Sequence, residues 1–372
     1  MTKRAEILVA MSGGVDSAVS ALICNEVSSE CIGATMKLFD SELLGRPIES
    51  GCCSVDDIDD AKDVCHKIGI PHFTLNCKEE FTKHVVDPFV AAYLAGRTPN
   101  PCIACNKHLK FDVLIKKAKW FGADIIATGH YAKIEKAESS LSNSNALVLK
   151  RGDDPRKDQS YVLHTLTKEQ LSHIVFPIGH LSKNEVRDIA AAHGMIVAEK
   201  KESQDICFVE NGSVDNFISH YTKLNNVERL VKQGTFVDEQ GQKIGTFPAN
   251  HSFTIGQRKG LNLAMGHPVY VTNIDKANNI VTIGEKEDLV KEQVVATDFN
   301  WISISPKIGD KIACTAKIRY NMKDIECTAI VNDAHQTTFV FPDGVSAPAK
   351  GQSVVCYDGD IVLGGGFITS AK

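Results

Sequence analysis

Ile7-Leu8-Val9-Ala10-Met11, then Ser12-Gly13-Gly14-Val15-Asp16-Ser17, then the helical-looking stretch Ala18 to Val27 form an apolar run, a short polar loop and a helix in immediate succession. A strand that hands its chain to a helix through paired glycines is a phosphate pocket. Gly13 and Gly14 let the backbone approach phosphate oxygens, Ser12 and Ser17 add hydroxyl donors, and the helix start offers unpaired N–H groups at the positive end of its dipole. A Walker A loop needs Gly-Lys-Ser/Thr and a dinucleotide fingerprint needs a third glycine at fixed spacing. Neither is present. The plain alternative, a Gly-Gly turn with a serine cap, leaves the strand before and the helix after without a purpose.

Working outward, Ile32 to Leu38, His72 to Leu75 and Ile125 to Thr128 are further short apolar strand candidates. Val55 to Ile68 places Val55, Ile58, Ala61, Cys65 and Ile68 near helical spacing. Alternating strands and helices predict an α/β fold with a Rossmann-like, mostly parallel sheet covered on both faces. Ligands in such sheets bind beyond the carboxyl ends of the strands, here Ser12 to Ser17, Met36 to Phe39 and Gly129-His130-Tyr131. Ser182-Lys183-Asn184-Glu185 is a capping box opening a helix, so helical texture persists to about residue 195. After Phe208 the segments become short and β-branched, with Asn-Asn, Asp-Gly and Gly-rich turns. The expected organisation is a catalytic domain over 1–209, a small β-rich central domain over 210–285 and a C-terminal β-barrel over 286–372. The polar stretch Glu135 to Asn145 predicts a hairpin tip or loop.

A chain of 372 residues, 43% hydrophobic and 23% charged, has the composition of an ordinary soluble protein with two or three cores. No stretch is long and apolar enough for a bilayer, and Met1 to Arg4 runs straight into a strand, so no membrane association and a cytoplasmic location are expected. The 12 cysteines are irregularly scattered, which argues for reduced thiols. Cys24, Cys31, Cys65 and Cys77 fall in apolar patterns and are expected to serve as small hydrophobes.

Asn100-Pro101-Cys102-Ile103-Ala104-Cys105-Asn106 and the distant Cys207 are different. Pro99 and Pro101 predict an exposed loop ahead of a helix beginning near Lys107. A thiol near a helix start is stabilised as thiolate, and Cys105 is placed for that. An incidental pair and half of a zinc site are the alternatives. A structural zinc needs two more well-spaced ligands and Cys207 supplies one, so no metal site is assigned.

With Ser12-Gly13-Gly14-Val15-Asp16-Ser17 the chain resembles the ATP pyrophosphatase (PP-loop) superfamily. Eight further elements follow in the order seen in tRNA-specific 2-thiouridylases: Gly51-Cys52-Cys53-Ser54, Thr98 to Pro101 with Cys105-Asn106, Thr128 to Ala132, Lys157 to Tyr161, Ile206-Cys207-Phe208, Phe253 to Gly260, Lys317 to Tyr320, and Gly351-Gln352. The match spans nearly the whole chain. The resemblance implies the PP-loop fold and an enzyme that replaces the C2 oxygen of the wobble uridine of tRNA with sulfur. ATP, with Mg²⁺ on its phosphates, adenylates that oxygen, and AMP and pyrophosphate depart. By motif position, Ala10, Met11, Ser12, Gly13, Gly14, Val15, Asp16, Ser17, Met36 and Gly129 would hold ATP. Cys207 would carry the sulfur as a persulfide, and Cys105 would be the nucleophile that completes its release through a transient disulfide. Asn100, Pro101 and Cys102 would meet the target base, and His130, Lys157, Asp158, Gln159, Arg319, Tyr320 and Gln352 would contact tRNA. The partners implied are tRNA and a sulfur donor, either a persulfide-relay protein or a cysteine desulfurase.

One position departs from the better-known form of the family, which has aspartate where this chain has Cys102. Its loss removes a carboxylate that would position the base or carry a proton. It also creates, with Cys105 and Cys207, the three-thiolate set used for a [4Fe–4S] cluster by some related tRNA-thiolating enzymes, an alternative route for sulfur. A small-molecule amidating synthetase would have no use for the paired thiols and the C-terminal β domain. A non-catalytic RNA or metal-binding module would not need the nucleotide loop. A net charge of −5 looks unsuited to tRNA, but local fields decide phosphate binding, and Arg97 to Lys119 contains six Lys/Arg against Asp112 alone. Phe111, Leu114, Ile115 and Ala118 are its expected core face, leaving Lys110, Lys116, Lys117 and Lys119 largely free. A solvated helix face explains these lysines equally well, as a backbone-bonded strand-end histidine explains His130.

Overall fold

The computed structural model describes residues 6–28, 30–45, 55–137, 146–201, 206–209, 213–227, 233–248 and 252–372. The Gly51 to Ser54 element and the centre of the polar stretch at 138–145 lie outside them. The strands are β1 (Ile7–Ala10), β2 (Cys31–Lys37), β3 (His72–Asn76), β4 (Ile125–Thr128), β5 (Ala132–Lys136), β6 (Leu147–Arg151) and β7 (Ile174–Val175) in the first half. A five-stranded sheet of order β3-β2-β1-β4-β7 is parallel throughout, with β1 flanked by β2 and β4 in register Ala10 to Ala34 and Ala10 to Thr128. Apolar clusters cover both of its faces. Leu8, Ile32 and Ile126 face the aromatic set Phe39, Phe81 and Phe89, and Val9 and Ala127 face the helix Val15–Val27. Burial on both faces explains why these strands read as continuous apolar runs rather than alternating ones. The core thiols behave as hydrophobes, for burial pushes Cys24 and Cys65 up to about 12 and Cys31 and Cys77 up to about 11.

The second half carries β8 (Gly234–Val237), β9 (Lys243–Phe247), β10 (Tyr270–Asp275) and β11 (Ile280–Gly284), which form a separate four-stranded sheet around Phe236, Phe247 and Phe253. Then come β12 (Val290–Trp301), β13 (Lys311–Lys317), β14 (Ile325–Val331), β15 (Thr337–Ser346), β16 (Ser353–Asp358) and β17 (Ile361–Ala371). Pairing of β12 with both β15 and β17 closes these six strands into a barrel. Two features depart from the sequence expectation. A helix, Val214–Leu224, lies in the region expected to be all β, and its Phe217, Ile218 and Tyr221 pack on the first core. The β5–β6 hairpin leaves the parallel sheet and joins the barrel sheet through the Lys150 to Ile361 pairing. Hydrophobic pattern does not say which sheet a strand joins.

His164 belongs to this junction. It is fully buried, its Nε2 lies 3.0 Å from Ser353 Oγ, and Asn300 donates to its carbonyl at 2.8 Å. Burial pushes its pKa down to about 4. An unfolded histidine takes up a proton near pH 6.5 that the folded one refuses, so this group lowers stability as pH falls from 6.5 towards 4, by about 3 kcal/mol at the lower end. Denaturant unfolding of wild type and His164→Gln across this window should therefore converge at acid pH. A constant difference would show that His164 is not held neutral.

Candidate active site

The carboxyl ends of β1, β2 and β4 open on a cavity of about 350 Å³. Its floor is the loop that follows β1. Ser17 Oγ accepts from the Ser12 N–H and the Ser12 hydroxyl, each at 3.2 Å, and donates to the Gly14 carbonyl at 2.9 Å, which closes the loop on itself. Gly13 has φ +71°, and a Cβ there would lie 2.3 Å from the Asp57 carbonyl oxygen. Gly14 is the N-cap of the helix Val15–Val27 and supplies no side-chain cap, so the first-turn N–H groups are left for a ligand. Gly129, after β4, packs its backbone against the same turn, where a Cβ would stand 2.8 Å from the Asp16 carbonyl carbon. These contacts form a cradle that a side chain would fill, which fits a nucleotide triphosphate.

Lys183, Tyr131 and Lys200 buttress this loop. Lys183 Nζ reaches both oxygens of Asp16 at 2.7 and 2.9 Å, and the Tyr131 hydroxyl donates to Asp16 Oδ1 at 2.7 Å. Lys200 Nζ donates to the Gly13 carbonyl at 3.0 Å and to Asp57 at 2.6 Å, and also pairs with Asp60. Lys183 was legible in sequence only as the residue after a helix cap. Its side chain turns back 167 positions along the chain, and nothing local signals that. Lys183→Met is expected to weaken ATP binding roughly ten-fold by leaving a partly buried carboxylate short of its cation. Isothermal titration checks this, and unchanged affinity would show that the loop does not depend on the pair.

The opposite wall carries the thiols. The expected exposed loop before Lys107 is replaced by a helix beginning at Pro101, because proline is favoured in the first helical turn and Asn100 caps it by accepting from the Cys102 N–H at 3.0 Å. From Cys105 to Val113 the helix widens to i→i+5 bonding, a local distortion that often marks functional positions. Cys105 is half-buried and Cys102 exposed. Cys207 is half-buried, and its neighbour Phe208 anchors it, with ring centroids 5.6 Å from Phe81, 5.1 Å from Phe89 and 4.9 Å from Phe217. Cys102, Cys105 and Cys207 line the same cavity as Ala10, Met11, Ser12, Asp16, Ser17, Met36 and Gly129. Among the described residues no three His, Cys, Asp or Glu side chains converge as metal ligands would. The three thiols line one cavity.

Pro101, His130 and Gln159 also line the cavity. His130 is buried, its Nδ1 2.7 Å from Thr128 Oγ1 and its Nε2 3.4 Å from Lys110 Nζ. Since an ammonium only donates, Nε2 accepts and Nδ1 carries the proton. Burial and the adjacent Lys110 hold its pKa well below 6.5. Lys110 is thus engaged rather than free. Lys116 is paired to Asp112 at 2.7 Å and Lys117 to Glu80 at 3.3 Å, so the expected free basic face is partly spent on ion pairs. The remaining candidate tRNA residues lie outside the cavity. Asp158 is a buried hub accepting from the N–H groups of Gly152 and Ser160 and the Ser160 hydroxyl at 3.0 to 3.2 Å. Arg319 donates to the carbonyls of Ile255 and Ala347 at 2.8 Å, tying the central sheet to the barrel. Gln352 donates to the Thr98 carbonyl at 2.7 Å and so holds the segment leading to Asn100. Tyr320 packs edge-on to Tyr161, and Lys157 is half-buried.

Comparison with known proteins matches residues 5–211 to the tRNA methyl transferase HUP domain, 224–285 to the tRNA methyl transferase PRC-barrel domain and 291–368 to the aminomethyltransferase beta-barrel domain. The tRNA-specific 2-thiouridylase MnmA of Clostridium botulinum is 44% identical over 99% of this chain and 98% of its own length, and that of Geobacter metallireducens is 43% identical over 100% and 99%. The chain belongs to the tRNA-specific 2-thiouridylase family. Among solved structures, NMN synthetase from Francisella tularensis aligns at a TM-score of 0.33 and 14% identity, covering 61% of this chain and 79% of that one. With the family in place, the parallel sheet is its HUP unit, the four-stranded sheet its PRC-barrel unit and the closed six-stranded barrel its third.

Proposed function

We propose that this chain is a cytoplasmic, ATP-dependent tRNA-uridine 2-sulfurtransferase acting on the wobble uridine, and that it works as three domains, 1–209, 210–285 and 286–372. The observation that carries this reading is the single cavity shared by the glycine loop and the thiols of Cys105 and Cys207. An enzyme that makes an amide needs the first of these and not the second.

A uracil C2 oxygen is a poor leaving group. Its attack on the α-phosphate of ATP, bound by the Ser12 to Ser17 loop with Met36 and Gly129, releases pyrophosphate and converts the oxygen to part of an AMP leaving group. Mg²⁺ on the triphosphate would supply charge neutralisation. Asp16 is the one carboxylate among the described residues lining the cavity, and it would meet the ion. The outer sulfur of a Cys207 persulfide attacks C2 and AMP departs. The Cys105 thiolate then attacks Cys207 Sγ, breaking the bond between the two sulfurs; the pair leaves as a disulfide and the outer sulfur stays on C2 as thiocarbonyl. An external thiol reduces the disulfide, and a persulfide-relay protein or cysteine desulfurase reloads Cys207. Asn100, Pro101 and Cys102 would meet the base, with Cys102 contributing a thiol edge where a carboxylate is common. His130, Lys157, Asp158, Gln159, Arg319, Tyr320 and Gln352 would face tRNA directly or hold the segments that do.

The test is mass spectrometry of tRNA nucleosides after incubating the full chain with unmodified tRNA, ATP and a persulfide donor. ATP-dependent 2-thiouridine with stoichiometric AMP is expected. Thiolation lost when iron is removed from anaerobically purified protein, and restored with it, would instead favour the cluster route.

A further inference from the structure

A second group of thiols lies in the barrel, on a different core from the cavity. Cys314 on β13 and Cys327 on β14 are direct register partners, and their Sγ atoms are 3.6 Å apart. Both side chains point inward: Cys327 is buried, and Cys314, half-buried, packs on the same apolar cluster with Cys356 of β16. Cys356 Sγ lies 3.5 Å from the Gly364 carbonyl oxygen, so it is tied back to the barrel wall.

We propose that Cys314 and Cys327 are a reversible oxidation site, closing to a cross-strand disulfide when the protein meets a hydroperoxide. Cβ atoms of opposed residues in antiparallel strands stand roughly 4.5–5.5 Å apart, against about 3.5–4.5 Å in a disulfide, so side-chain rotation and a small approach of two adjacent strands suffice. Cys314 is the sulfur oxidised first. It is the more exposed of the two, and its Sγ lies directly against that of Cys327. The Cys314 thiolate displaces alkoxide or hydroxide from the peroxide oxygen, giving a sulfenic acid and, after protonation, an alcohol or water. The Cys327 sulfur then attacks the sulfenyl sulfur and water leaves, so two thiols are oxidised as one peroxide bond is reduced. The bond closes the base of the hairpin that carries Arg319, whose contacts join barrel and central sheet. Oxidation would thus stiffen that connection while Cys105 and Cys207 answer to a different chemistry.

The experiment is non-reducing peptide mapping of the full chain after exposure to hydrogen peroxide. Expected are linked peptides containing Cys314 and Cys327 with the loss of two hydrogens, a drop of at least about ten-fold in maleimide labelling of Cys314, and full reversal by dithiothreitol. In Cys314→Ala the Cys327 peptide should remain unlinked. A Cys314 to Cys356 linkage, Cys314 advancing to sulfinic acid, or thiols still free after Cys105 and Cys207 have been oxidised would each overturn the proposal.

Discussion

Cys207→Ser is expected to leave no 2-thiouridine above background, a loss of at least about 10³-fold, while ATP binding stays within about two-fold of wild type. A serine oxygen cannot carry a sulfane sulfur, so the step that delivers the atom has no substitute, and neither Cys102 nor Cys105 occupies the position that Phe208 fixes for Cys207. ATP binding is spared because the loop and its buttresses draw on Lys183, Tyr131 and Lys200 rather than on the thiol. Cys105→Ser should fail at a different point, accumulating sulfur on Cys207 without release. Nucleoside mass spectrometry and equilibrium ATP binding check the first outcome, and intact-protein mass spectrometry showing sulfur retained on Cys207 distinguishes the second. Substantial 2-thiouridine from Cys207→Ser would refute the sulfur-carrier role.

The second large effect is expected from Gly13→Ala, with ATP affinity falling roughly 100-fold, or about 3 kcal/mol. Two independent costs combine there. The backbone sits at φ +71°, where an L side chain is strained, and the new Cβ would press into the backbone of Asp57 at 2.3 to 2.8 Å. Backbone cannot rotate aside as a side chain can, so either the loop or the helix Val55–Ile68 must move, and with it the Lys200 to Asp57 pair. Gly14→Ala is the matched comparison. Its φ is −105°, and its Cβ would meet only Ser12 Oγ, at 3.6 Å. A distinctly smaller effect is expected there. Equal losses from both substitutions would mean that the turn geometry is not what matters.

Much of this was legible beforehand. The strand–loop–helix entry, the helix Val55–Ile68 and the carboxyl-end segments that form the cavity follow from period, glycine placement and the sidedness of parallel sheets. The helix start at Pro101 is not legible in the sequence because proline both breaks helices and opens them, and the Asn100 side-chain cap that decides between the two is a feature of the fold. Asp158 and Arg319, which the family resemblance places at tRNA, also make structural hydrogen bonds that no local pattern signals, Asp158 to the Ser160 backbone and side chain and Arg319 to two distant carbonyls.

By itself the amino-acid order determined the alternating strands and helices of the first half and what chemistry each short motif can do, since strong periodicity and functional-group identity are local properties. Only the tertiary structure decided that Lys183 and Lys200 brace the phosphate loop, that the β5–β6 hairpin joins the barrel, and that Cys105 and Cys207 share one cavity with the loop. Those are meetings between residues about 100 to 200 positions apart. They depend on how packed layers close over one another, which no local period encodes.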